Sequence, residues 1–79
     1  MRVTVTAKDI VRGRRSIADR CPVALALKRA TGRRWEVYFT VLQDVGRRRG
    51  IKTPDQVAEF CERYDDGVGM RPFTFELVA

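Results

Sequence analysis

The side chains of this sequence that can do chemistry are two cysteines, ten carboxylates and thirteen arginines, and there is no histidine. The missing imidazole removes Ser-His-Asp and Cys-His nucleophile pairs, histidine acid/base catalysis and the two-histidine zinc motif of metalloproteases. Two thiols without an imidazole also fall short of the usual ligand set of a structural zinc site, so neither a metal nor a cofactor is expected. Cys21 stands out because it opens the most apolar run, ADRCPVALALKRATG, over residues 18–32. A thiol at a helix N-terminus feels the positive end of the dipole, and Arg20 beside it adds to that effect, so a thiolate is chemically accessible there. Against this, no imidazole is present as a base, and Cys61 falls on the inward stripe of a later helix, a poor place for a resolving thiol. Free cysteine is among the most buried residue types, and Cys21 is read as the start of a buried helix; a thiol-dependent redox enzyme centred on Cys21 is the alternative.

The carboxylate pairs Glu59/Glu62 and Asp65/Asp66 are spaced for a solvated acidic patch on an outer helix face more than for a general acid and base. Neither glycine signal makes a phosphate loop. GRRRG lacks the Walker lysine and serine, and GVGM is too short for a dinucleotide fingerprint.

The arginines fall into groups: Arg12, Arg14 and Arg15 before the apolar run, Arg33 and Arg34 after it, and Arg47, Arg48 and Arg49 between Gly46 and Gly50. Guanidinium forks on loops suit phosphate oxygens, and clusters brought to one side would form a nucleic-acid footprint. Residues 1–54 hold 14 of the 16 basic side chains and 4 of the 10 acidic ones, net +10, whereas residues 55–79 hold 2 and 6, net −4. Such asymmetry favours a polyanionic partner, although arginine-rich codon usage and solvated loops would produce the same excess. No RNA-recognition surface is expected, because Tyr38 is the one stacking aromatic on the open sheet face.

The elements that must position these groups follow from local patterns. RVTVT alternates with period two and reads as a strand; Thr6 and Asp9 form a capping box for a short helix through AKDIVR that stops at Gly13. Pro22 suits the first position of a core helix over 22–31 and Gly32 its C-cap. RWEVYFTVL alternates as one strand with Trp35, Val37, Phe39 and Val41 inward, and a hairpin return follows near Ile51. Thr53, Pro54 and Gln56 read as cap, first residue and capping-box partner of a helix that carries Val57, Phe60, Cys61 and Tyr64 on one stripe and ends at Gly67. RPFTFELV closes the chain as a strand. The expected fold is α/β (α+β): a two-layer sandwich with a three- or four-stranded sheet, helices on one face, and the order β-α-α-β-(β)-α-β.

At 79 residues, 44% hydrophobic and 33% charged, the chain is expected to be one domain, 1–79, with no membrane span. MRVTVTAKD has no apolar signal core, which points to a mature chain beginning at Met1 in the cytoplasm, where both thiols stay reduced and unpaired.

Ile10, Gly13, CPVALALKRATG, FCERYDDG and RPFTFEL together resemble a group of short bacteriophage and bacterial proteins with no established activity. The resemblance spans nearly the whole chain, and its motifs concern packing and turns. It implies a phage or prophage origin, action in the host cytoplasm and a small non-catalytic role, with no site residue to carry over. The expected function is non-enzymatic binding of a polyanion, either DNA or RNA or an acidic host-protein surface, through Arg12, Arg14, Arg15, Arg33, Arg34, Arg47, Arg48 and Arg49. A protein-protein interaction module or inhibitor working through a sheet edge or a homodimer is a further alternative.

Overall fold

Alternation in RVTV produces β1 (Arg2–Val5), with both valines fully buried and Arg2 and Thr4 exposed. The computed structural model describes residues 1–78. Thr6 then opens α1 (Ala7–Arg12) through the expected reciprocal cap: the Asp9 N–H donates to Thr6 Oγ1 at 3.2 Å, and the Thr6 N–H donates to Asp9 Oδ2 at 2.8 Å. The helix stops at Gly13, whose N–H donates to the Asp9 carbonyl at 2.8 Å.

The apolar run folds as α2 (Pro22–Thr31) with the expected boundaries. Cys21 is its N-cap, Pro22 occupies the first turn where a missing N–H is harmless, and Gly32 ends it at φ 75°. Pro22, Val23, Ala24, Ala26 and Leu27 are buried, so the helix presents a broad apolar face to its neighbours β1, α1 and the strand that follows.

That strand is shorter than its alternation implies. Instead of one strand through residue 42, the chain forms β2 (Trp35–Val37), turns over Tyr38–Thr40 and returns as β3 (Val41–Asp44). The turn is closed by the Tyr38 N–H on the Val41 carbonyl at 2.9 Å, and Phe39, expected inside, is 56% exposed. Inside positions therefore pass to Leu42 and Asp44. The hairpin return near Ile51 is present as β4 (Arg49–Lys52), which completes an antiparallel meander β2-β3-β4.

Thr53 does not cap the next helix. Its hydroxyl donates to the Tyr38 carbonyl at 2.7 Å and its N–H to the Thr40 carbonyl at 3.2 Å, so both groups hold the β2–β3 turn. Pro54 stands at the N-cap of α3 (Asp55–Asp65), which has no side-chain cap. Val57, Phe60 and Tyr64 of the expected stripe are buried and Cys61 is half-buried. The chain closes with β5 (Phe73–Glu76), antiparallel to β1 with Val3 opposite Phe75 and Val5 opposite Phe73.

The α+β class read from the element order is the one observed, with three helices and five strands among the described residues. The strands are divided between a two-stranded and a three-stranded sheet, where a single sheet of three or four strands was expected. The Tyr38–Thr40 turn accounts for the difference, because it lets β2, β3 and β4 pair locally and leaves β1 with β5. One hydrophobic cluster joins both sheets: Val3 and Val5 from β1, Val23 and Leu27 from α2, Trp35 and Leu42 from the meander, and Val57 from α3 are all buried. An aromatic contact seats α3, with Phe60 and Phe73 ring centres 4.8 Å apart, while Phe60 and Tyr64 stack within the helix at 5.9 Å. No helix among the described residues is long and apolar enough to cross a membrane.

Candidate functional site

Two carboxylates are buried, and each is neutralised by an arginine. Asp9 is 4% exposed and receives both branches of the Arg29 guanidinium at 2.7 and 2.8 Å. Asp44 is 2% exposed and receives Arg33 Nε at 2.7 Å and the Arg47 backbone N–H at 3.2 Å. Burial raises both carboxyl pKa values, but the arginine hydrogen bonds, the backbone donors and the arginine charges outweigh it and hold each below the ordinary 3.8. Arg33 therefore has a structural partner in Asp44, which sets it apart from the exposed arginines of the expected binding set.

The other members separate by position. Arg12 and Arg14, from the end of α1 and the loop after it, line one surface cleft of about 490 Å³ with Arg34. Arg20 and Lys28 line the same cleft, and Ala24, Leu25 and Trp35 form its apolar base. The single carboxylate in its lining is Asp19, which pairs with Arg34 at 3.0 Å; Arg34 also reaches Glu36 at 3.5 Å. Arg12, Arg14, Arg20 and Lys28 are exposed and have no ion-pair partner among the described residues.

Arg15 points elsewhere, with its guanidinium against Gly67 beyond the C-terminal end of α3. Arg47 and Arg48 are exposed on the β3–β4 turn, where Arg48 adopts φ 53°, and Arg49 is exposed at the start of β4. Of the eight expected residues, the cleft gathers Arg12, Arg14 and Arg34. Arg20 and Lys28 were missed, although a local signal was available: residues 20, 24 and 28 repeat every fourth position, and Ala24 and Lys28 line one face of α2 with Arg20 just before it.

A second concavity is lined by other residues. It is a groove of about 440 Å³ walled by Pro22, Val37, Phe60 and Tyr64, with Ile17, Tyr38 and Phe39 exposed at its edge. Both cysteines line it. Cys21 Sγ accepts the Ala24 N–H at 3.4 Å as the cap of α2, and Cys61 enters the same groove from α3. The Cys61 thiol holds the Cys21 pKa below its ordinary value; burial opposes this, the backbone N–H groups of Ala24 and Val23 assist, and the Asp65 charge opposes. Cys61 is pushed far up by Cys21, by burial and by the charge of Asp65. Cys61, expected on the inward stripe where a resolving thiol would be hard to reach, is half-buried and lines the groove that Cys21 also lines.

Compared with known proteins, the chain matches no family model, no curated protein and no solved structure.

Proposed function

We propose that the protein is a non-enzymatic nucleic-acid-binding protein whose basic cleft takes a sugar-phosphate backbone. The observation that carries the reading is the meeting of Arg12, Arg14, Arg20, Lys28 and Arg34 around one cleft with Asp19 as its sole carboxylate. They come from three separate stretches of chain, and four of them have no ion pair among the described residues. A guanidinium with no carboxylate to satisfy it is fully available to phosphate oxygens, and several at one concavity release counterions together on binding. The base of the cleft offers no exposed aromatic ring, because Trp35 is 2% exposed. Contacts are therefore to the backbone, and sequence discrimination is weak. The net charge of +6 steers such a ligand from a distance. A phage or prophage origin, with action on host nucleic acid, belongs to the same reading and draws on the resemblance described above.

Fluorescence anisotropy of labelled single- and double-stranded oligonucleotides, titrated across a salt series, tests it. Binding should weaken steeply with salt, and the slope of log K against log salt should fall by about one for each cleft cation neutralised. Absence of binding to either polymer at low salt removes this reading and leaves an acidic protein surface as the polyanion.

A further inference from the structure

We propose that Cys21 and Cys61 form a dithiol site at the floor of the apolar groove, which takes low-molecular-weight disulfides, reduces them by exchange and closes to an internal disulfide. The two residues are forty positions apart in sequence, yet they line the same groove, one as the cap of α2 and the other from α3. They are the only two thiols in the chain, and no other thiol competes for the groove they share. Cys21 also accepts the Ala24 N–H, so the first turn of a ten-residue helix faces its sulfur.

Roles follow from these surroundings. Cys21, with the Ala24 backbone N–H aimed at its sulfur at the start of α2, is the nucleophile, because that donor and the helix N-terminus favour the thiolate. Cys61, half-buried and without such a donor, keeps its proton and resolves. In the first step the Cys21 thiolate attacks one sulfur of RS–SR; a bond from Cys21 Sγ to that sulfur forms, the S–S bond breaks, and the other half leaves as RS⁻, protonated from water. In the second, Cys61 gives up its proton to solvent and its sulfur attacks Cys21 Sγ. The Cys21–Cys61 bond forms and the second RS⁻ departs. Two electrons pass from the protein thiols to the small disulfide, which ends as two thiols, so no other reactant is needed. Val37 and Phe60 in the walls and exposed Phe39 at the edge favour disulfides with apolar substituents over charged ones.

The test incubates the full chain with either oxidised glutathione or an uncharged aromatic disulfide, alkylates what remains, and reads intact mass and peptide maps. The wild type should become refractory to alkylation, with residues 21 and 61 joined in one peptide pair and no lasting adduct, faster with the aromatic probe. Cys61→Ser should stop at a mixed disulfide on Cys21, and Cys21→Ser should react at least about tenfold more slowly. Two free thiols after prolonged exposure of the wild type, disulfides between chains in place of the internal one, or equal rates for the two variants would overturn the proposal. The wild-type measurement stands alone if either variant fails to fold.

Discussion

Arg29 grips Asp9 through both carboxylate oxygens, at 2.7 and 2.8 Å, while the same guanidinium donates to the Thr4 carbonyl at 2.8 Å. One side chain of α2 thereby ties down both α1 and β1. Asp9 also completes the cap on Thr6, so its removal breaks the fork and the helix start together. Asp9→Ala should destabilise the fold by about 2 kcal/mol, because a cap and a partly buried ion pair are lost while half-exposed Arg29 can rehydrate. Urea unfolding of Asp9→Ala, Arg29→Ala and the double variant separates the cap from the fork.

Acid should unfold the protein through the same groups. The folded pKa values of Asp9 and Asp44 lie below the ordinary 3.8, so the unfolded chain binds more protons in that range. The stability from these pairs is fully present above the ordinary value and is lost as pH falls through the lower folded values. The urea midpoint should hold steady near neutrality and drop in acid, and Asp44→Asn should flatten that drop. An unchanged acid limb in Asp44→Asn would sink the assignment.

Trp35 reports on its own hydrogen bond. Its indole N–H donates to Thr31 Oγ1 at 2.8 Å, and the Thr31 hydroxyl donates to the Leu27 carbonyl at 2.7 Å. Thr31→Val keeps the shape and leaves a buried N–H unpaired, which should cost about 1–3 kcal/mol. As the one tryptophan in the chain, Trp35 should also change its fluorescence in the folded state.

Gly13 is a place where the loop must lie against α2. A Cβ there would stand 2.6 Å from Pro22 Cδ and 2.7 Å from Cγ, on a rigid ring that cannot swing aside. Gly13→Ala should therefore destabilise by about 1–3 kcal/mol through overpacking. Gly69→Ala, with nothing within 4 Å of its added carbon, is the control and should leave the thermal midpoint almost unchanged.

What was legible in the sequence was what is decided locally. Thr6 and Asp9 cap α1, and Pro22 and Gly32 bound α2, because each acts on backbone groups within a few residues. The β2–β3 turn was hidden because Trp35, Val37, Phe39 and Val41 alternate in the same way whether or not the strand bends. What bends it is Thr53, more than ten residues away, on the Tyr38 and Thr40 carbonyls. That long-range use of Thr53 also removed it from the helix cap it resembles. The site was half legible for the same reason: charge counting finds arginines, but only the packing of α1 against α2 brings Arg12 and Arg14 beside Lys28, and only the Asp44 pair engages Arg33. The meeting of Cys21 with Cys61 depends wholly on the seat of α3.

The location of the nucleic-acid surface is tested most directly by mapping backbone amide shifts while an unlabelled oligonucleotide is titrated in at low salt. The perturbed amides should cluster at residues 12–14, 20–28 and 34, and the shifts should fade as salt is raised. Perturbations centred on Arg47, Arg48 and Arg49 around the β3–β4 turn, or none at all, would contradict that location.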